Sequence, residues 1–458
     1  MTRPRVAIIG GGITGLAAAW ELQKQGVDYT LFEAADRLGG KIVTEHVGGF
    51  TIEGGPDSFL SGKPWAWQLC DELGLRDQII GTNDAQRNIY ILKGEKLHPY
   101  PKGMRLIVPV EDDGLLASKL LSEEGKRRML AEVELQPYDA PADESLAAFV
   151  RRHFGPEALD TFGEPLLAGI HVGDPETMSV RATYPQYVEM ERAHGSLIRA
   201  MRSAPPVTPD PNAPKTAFFS LRGGTQELVD KLASRLTGNI HAGLGSLDGR
   251  LLRDTLQKST PEFLSAIITT PAGTACELLK ETLSGTEFIT RLEQLVGTRD
   301  SEVFSIGYRK DDVCHDLNGF GFVVPRSESP YVQACTWSSS KLSGRASAEH
   351  VLIRVYLQMS FTVRNDRGPA VEDRVELCRN FLQKILGIQN PPILTHARRW
   401  HNPQYKVGHL EHLAEIESLC PPGLYLAGSS YRGVGVPDCI HQGRIAAQKA
   451  TAYLGVTS

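Results

Sequence analysis

The stretch RVAIIGGGITGLAAAW (5–20) decides the reading of the fold. Arg5–Ile9 is a short apolar run suited to a buried strand. Gly10, Gly12 and Gly15 follow in the spacing G-x-G-x-x-G, with Gly11, Ile13 and Thr14 between them. Residues 13–25 place Leu16, Ala19, Trp20 and Leu22 where one helical face can use them, and Gly26 supplies a C-cap. Residues 29–33 read as a second strand. Strand, glycine turn, helix and strand is the order this motif needs to bind a dinucleotide. The first glycine permits the tight turn, the second lets the backbone approach a pyrophosphate, and the third lets helix and strand pack closely. The phosphates are then expected on the unpaired N–H groups that open the helix. Glu33 ends the second strand, 18 residues after Gly15. A carboxylate there accepts hydrogen bonds from ribose hydroxyls and repels a 2′-phosphate, which argues against NADP.

Two further elements narrow the nucleotide to FAD. Arg37-Leu38-Gly39-Gly40-Lys41 follows the acid closely and resembles the arginine–glycine–glycine element of glutathione-reductase-like FAD folds, which helps hold the pyrophosphate. At the far end, residues 428–438 form a glycine-rich strand–loop–helix junction. A helix N-terminus there can stabilise negative charge on the N1/O2 edge of a reduced flavin.

At 458 residues the chain is long enough for about three domains, or two with one interrupted. Its 41% hydrophobic and 22% charged residues fit a soluble globular protein. A net charge of −5 gives no basic field for nucleic acid. The seven cysteines are scattered, with no CxxC pair, which argues against a disulfide framework or zinc site and suits a reducing cytoplasm. The apolar stretch 6–20 imitates a signal peptide, but its four glycines weaken that reading, and no other segment is long and apolar enough to span a bilayer.

Further along, residues 64–75, 225–236, 371–387 and 437–453 read as helices, and 87–98 as a hairpin turning near Lys93–Gly94. Residues 266–270, 303–308, 321–324, 331–337, 351–359 and 423–428 read as strands, and 112–202 as a mostly helical block. The segment 204–214 holds five prolines and must be an extended connection.

Beyond these elements, GGGITGLAAA (10–19), EAADRLGGKI (33–42), EGGPDSF (53–59), LHPYPKG (97–103), LRGGTQELVDKL (221–232), GFGFVVP (319–325), ACTWSSSK (334–341), NPQYKVGHLEHL (402–413) and GLYLAGSSYRGVGVPDCIHQGR (423–444) together resemble the protoporphyrinogen/coproporphyrinogen oxidase family of haem biosynthesis, nearly end to end. The PQY…GH pair separates that family from amine-oxidase and carotenoid-desaturase relatives. The resemblance implies an α/β fold with three parts. One is a Rossmann-like, glutathione-reductase-like FAD-binding domain, discontinuous in sequence, over 1–86, 219–274 and 396–458. The second is a mixed-sheet α+β substrate domain over 87–111, 203–218 and 275–395. The third is a helical, membrane-associating-type insertion over 112–202.

It also implies roles. Gly10–Gly15 and Glu33 hold the ADP half of FAD. Arg37, Gly40, Lys41 and the turn Gly55-Pro56-Asp57-Ser58 follow the pyrophosphate and flavin, and Val434, Gly435 and Val436 meet the isoalloxazine through their backbone. An adenine-side contact falls near Ser246, where the family's valine is absent. Arg87 matches the place of a propionate-binding arginine, and Val323, Thr336 and Tyr356 match positions that sandwich the tetrapyrrole. Plant and animal members have leucine, leucine and phenylalanine there, so this cavity is the more polar.

The family reaction is a six-electron oxidation in three flavin rounds, with O₂ reoxidising the flavin to give hydrogen peroxide. It needs no catalytic triad, and none is legible. The thirteen histidines are dispersed, and His409 with His412 lacks a third metal ligand. Residues Thr336, Tyr356, Lys102, Arg345 and the run WSSSK (337–341) favour the four propionates of coproporphyrinogen III over the two of protoporphyrinogen IX. Leu115, Leu116, Leu120 and Leu121 form either an interfacial patch or a core face. The expectation is a cytoplasmic monomer or homodimer without a transmembrane segment, compatible with peripheral contact at the inner face of the plasma membrane and with hand-over to the next haem-pathway enzyme. Two rivals stay open: an amine-oxidase or carotenoid-desaturase-like flavoenzyme, and a non-catalytic tetrapyrrole-binding partner.

Overall fold

Arg5–Ile9 (β1), Ile13–Lys24 (α1) and Asp28–Phe32 (β2) form the β-α-β unit expected from the glycine motif. The structure is a computed structural model that describes residues 5–138, 142–205, 210–245, 263–358 and 371–456. Ser246, Met359 and 206–209 of the proline-rich segment lie outside the described residues. β1 is central in a five-stranded parallel sheet with Asn239–His241 (β3), Ser265–Ile268 (β4) and Leu424–Leu426 (β5), in the order β3-β2-β1-β4-β5. Three distant stretches of chain therefore build one sheet.

β1 carries no polar residue between Val6 and Ile9 because both of its faces are buried. Val6 and Ile8 pack with Leu16, Leu22 and Trp67 on one side. Ala7 and Ile9 pack with Ala275, Leu279 and Leu292 on the other.

A second, seven-stranded mixed sheet runs Leu394–Pro403, Thr298–Arg309, His350–Gln358, Val332–Trp337, Gly321–Val323, Ile89–Lys93 and Lys96–Pro99. All neighbours are antiparallel except Gly321–Val323 with Ile89–Lys93. One face is dry: Phe304, Ile306, Phe322, Cys335, Trp337 and Val355 pack against Cys378, Leu382 and Leu386 of the helix Val371–Leu386. Segment 396–403, expected with the FAD-binding part, hydrogen-bonds instead in this larger sheet. Its alternation of His396, Arg398, Trp400 and Asn402 on one side offers no apolar period, so the edge strand is hidden from pattern reading.

The helical block has a core of its own, including Leu115, Leu120, Leu121, Met129, Phe149 and Phe162, with Ile91 and Val323 of the large sheet packed against it. Leu116 alone of the four leucines is exposed, so they form a core face and not an interfacial patch. Among the described residues no helix is long and apolar enough to cross a membrane. The block is also pinned by a buried polar knot. His153 bridges Glu132 at 2.8 Å and Glu191 at 3.0 Å, and Glu132 accepts from Ser196 Oγ and from the backbone of Leu197 and Ile198. Burial works against charge on His153, but the bonds to Glu132 and Glu191 outweigh it and hold the imidazole pKa above its ordinary value.

Candidate functional site

Two helix N-termini meet at the C-terminal edge of the parallel sheet. α1 begins after Gly12, and Val436–Tyr453 (α2) begins after Gly435; neither has a side-chain cap. Their first-turn N–H groups therefore have no intrahelical acceptor and are offered to a ligand. The helices lie so close that a Cβ on Gly443 would fall 2.2 Å from the Thr14 carbonyl oxygen. A Cβ on Gly15 would fall 1.9 Å from the Gly10 carbonyl oxygen, so this crossing demands glycine. At Gly12 a Cβ would meet nothing within 4 Å, which leaves the space before the loop open to a phosphate.

The other cofactor-side residues shape this cradle. Glu33 accepts from the N–H of Gly11 at 2.5 Å and of Ala35 at 2.8 Å, and its remaining lone pairs suit ribose hydroxyls. The Arg37 guanidinium donates to the carbonyls of Leu38, Gly40 and Ile42, so it acts by shaping its own turn. That turn lies on the glycine loop, with the Gly39 N–H donating to the Gly11 carbonyl at 2.8 Å. Lys41 Nζ donates to the His401 carbonyl and the Asn402 side chain, and burial lowers its pKa. A Cβ on Gly55 would fall 1.9 Å from the Lys41 carbonyl oxygen, and the Pro56 carbonyl accepts from Thr225. Val434, Gly435 and Val436 lead into α2, where Asp438 is fixed by Lys63 at 2.7 Å.

Period-two alternation puts Val323, Thr336 and Tyr356 on the face of the large sheet opposite its dry core. Val323 and Tyr356 both pair with Ala334, and Thr336 pairs with Arg354. This face docks on the turn 54–58, the one expected on the flavin side: Arg354 donates to the Gly55 carbonyl at 2.7 Å and Trp400 Nε1 to the Gly54 carbonyl at 2.6 Å. Arg354 also stacks on Tyr356, 5.3 Å from its ring centroid. Asp57 sits between Lys341 at 2.9 Å and Arg354 at 3.4 Å, with Ser58 Oγ donating to it. Burial alone would raise the Asp57 carboxyl; Lys341 and Arg354 overcome it and hold the pKa well below the usual carboxylate range.

Known proteins place this architecture. The profile described as flavin containing amine oxidoreductase matches residues 13–451. A coproporphyrinogen III oxidase of Bacillus subtilis (strain 168) is 34% identical over 99% of this chain and 99% of its own. That of Staphylococcus aureus (strain NCTC 8325 / PS 47) is 30% identical over 98% and 99%. A crystal structure of a provisionally named protoporphyrinogen oxidase from Exiguobacterium sp. 255-15 superposes with a TM-score of 0.81 at 29% identity, over 99% of this chain and 100% of that one. The chain belongs to the protoporphyrinogen/coproporphyrinogen oxidase family. It is an FAD-dependent oxidoreductase.

Within this family member the basic residues counted from sequence divide. Arg345 is 1% exposed, bonds Ser220 and the Leu221 carbonyl, and pairs with Glu53 at 3.4 Å, so it is not a cation of the cavity. Lys341 is held by Asp57, and Lys102 is exposed. Arg87 is exposed and makes no ion pair with the described residues. Its turn is nevertheless tied to the same rim, since the Asn83 N–H donates to the Lys341 carbonyl at 2.9 Å and the Thr82 N–H to the Phe218 carbonyl at 3.2 Å. The PQY…GH pair pins the loop before α2: Tyr405 donates to the Ser429 carbonyl at 2.7 Å and His409 Nε2 bonds the Tyr431 carbonyl at 2.8 Å. Among the described residues no group of three or more His, Cys, Asp or Glu could hold a metal. Arg354 escaped the sequence reading, although its place two residues before Tyr356 puts both on one face.

Proposed function

We propose that this chain oxidises coproporphyrinogen III to coproporphyrin III by removing six electrons, with O₂ as acceptor and hydrogen peroxide as product, in haem biosynthesis. The observation that carries the reading is the sheet face on which Val323, Thr336 and Tyr356 stand in register beside Arg354, itself bonded to the flavin-side loop. A polar face with an exposed arginine at the rim suits a tetracarboxylate better than a dicarboxylate. Bound FAD supplies the two-electron acceptor that takes hydride from a substrate carbon.

The chain's own residues bind, orient and exclude water. The N–H groups opening α1 hold the pyrophosphate, with Gly10, Gly11, Gly12, Ile13, Thr14 and Gly15 shaping the approach. Glu33 holds the ribose, and a contact near Ser246 holds the adenine. Arg37 and Gly40 set the loop beneath the pyrophosphate, while Lys41 and Gly55-Pro56-Asp57-Ser58 line the flavin. The start of α2, from Val434 through Gly435 to Val436, faces the ring edge that becomes negative on reduction. Arg87 takes a propionate, and Val323, Thr336 and Tyr356 clamp the macrocycle. The two sheets and the separate helical core support a three-part division with two boundaries moved: residues 275–295 pack on the parallel sheet, and the large sheet extends to Pro403.

Protoporphyrinogen IX is the second reading, favoured by the pairing of Arg345 and Lys341 within the protein, which removes two cations from the count. Steady-state kinetics on purified protein decide between them. A higher kcat/KM on coproporphyrinogen III is expected; a preference for protoporphyrinogen IX of about tenfold or more would overturn the proposal.

A further inference from the structure

We infer that His171 is a catalytic base of this chain, taking the proton that the substrate loses in each two-electron round, from a pyrrole N–H in two rounds and from a bridging carbon in the third; the inference rests on the porphyrinogen reading above. The balance requires such an acceptor. In each of the first two rounds a methylene C–H bond and a pyrrole N–H bond break and one double bond forms between the ring and the bridging carbon; in the third, a C–H bond of one methylene gives the hydride and a C–H bond of the last methylene gives the proton. The hydride and its two electrons go to the flavin, and one proton is left over. Once hydride has gone, the adjoining pyrrole N–H is that of a conjugated iminium and far more acidic than before, so a weak base suffices. Imidazole accepts the proton, becomes imidazolium and passes it to solvent.

His171 is placed for this by three parts of the molecule. It lies in the turn that follows the π-helix Leu159–Ala168, an element that often marks functional sites. The turn is fixed by the His171 and Gly173 N–H groups, which donate to the Ala168 carbonyl at 3.1 and 2.9 Å. Val172 is held at a φ of 51°, a conformation that β-branched residues rarely adopt. Gln404 donates to the Val172 carbonyl, Asp174 pairs with Arg299 of the large sheet at 3.7 Å, and Glu164 pairs with Arg326 just beyond Val323 at 2.8 Å. The turn thus joins the helical block to the large sheet, within electrostatic reach of Lys63 and Asp438 at the start of α2.

The imidazole itself is half-buried and makes no hydrogen bond with the described residues. Tyr184 meets its ring edge-on at 5.5 Å between centroids, and the Tyr184 hydroxyl is taken by the Leu167 carbonyl. The charges acting on it are Lys63 and Asp438, which pair with each other at the start of α2. Burial, then Lys63, outweigh Asp438 and bring the His171 pKa down to about 4, so the ring is neutral and able to accept at pH 7. Among the described residues the fully buried histidines are committed elsewhere: His153 between two carboxylates and His409 to the Tyr431 carbonyl.

The test is anaerobic stopped-flow reduction of the bound flavin by coproporphyrinogen III across pH, in the FAD-loaded wild type, His171→Gln, His171→Ala and Lys63→Met. In His171→Gln the reduction rate should fall about a hundredfold, the wild type's acid limb should vanish, and the oxidised flavin spectrum should be unchanged. Added imidazole should restore part of the rate in His171→Ala and none in the wild type. Lys63→Met, which removes a repelling charge, should move the acid limb to higher pH. Wild-type reduction with His171→Gln within about threefold at every pH, or no imidazole rescue, would overturn the role of His171 alone. A wild-type flavin that no porphyrinogen reduces would overturn the porphyrinogen reading, and this inference with it.

Discussion

Around Gly10–Gly15 and Gly435 the polar atoms offered to a ligand belong to the backbone, whereas around Tyr356 they belong to side chains that already hold one another. At the glycine loop the cradle offers backbone N–H groups rather than side-chain charge, with Glu33 reaching the ribose side; its geometry comes from two helix starts brought together by glycines. On the cavity face the ion pairs of Asp57 with Lys341 and Arg354 are buried, and each partner depends on the others. A backbone site tolerates side-chain change but not a Cβ in the wrong place. A side-chain site tolerates change of shape but not the loss of one charge. The two regions therefore break in different ways.

The largest effect should come from the cradle. Gly15→Val puts a side chain into the Gly10 carbonyl, and the purified variant should carry almost no FAD, read as the flavin-to-protein absorbance ratio. Stoichiometric flavin in that variant would erase the distinction drawn here. Next comes Asp57→Ala, which leaves buried Arg354 and half-buried Lys341 without their carboxylate. It should cost about 3–5 kcal/mol of unfolding free energy in denaturant titration. A loss below about 1 kcal/mol, the range of exposed pairs, would mean that the pairs are solvent-screened. A smaller effect is expected on selectivity. Thr336→Leu with Tyr356→Phe makes the face apolar and should shift the kcat/KM ratio toward protoporphyrinogen IX by about tenfold, roughly 1.4 kcal/mol. An unmoved ratio would put the discrimination at the rim, near Arg87. The smallest is a slope. The raised pKa of His153 gives the helical block stability that is fully present below the ordinary histidine pKa of about 6.5 and is lost as pH rises through the folded value. The Tm should therefore fall on that alkaline side, and His153→Gln should flatten the slope, while FAD retention by the cradle stays level.

The same contrast explains what could be read from sequence. The spacing of Gly10, Gly12 and Gly15 and the acid at Glu33 are local, so the β-α-β unit and its uncapped helix were legible. Alternation also revealed the hairpin, whose strands Ile89–Lys93 and Lys96–Pro99 turn through Gly94 and Glu95. The edge strand Leu394–Pro403 was not legible, because a half-exposed strand carrying arginines and histidines shows no apolar period. Nor were the partners of charge. Arg345 looks like any basic residue until Glu53, far away in the chain, is found beside it. His171 has no motif at all, and only its place where the helical block joins the large sheet gives it meaning.

Whether this protein oxidises porphyrinogens is read from the absorption spectrum of the bound flavin under anaerobic conditions as coproporphyrinogen III or protoporphyrinogen IX is added. Both should reduce the flavin, coproporphyrinogen III faster, and porphyrin fluorescence should grow in step with the loss of oxidised flavin. A flavin that stays oxidised with both, or one reduced faster by protoporphyrinogen IX by about tenfold or more, would contradict the proposed function.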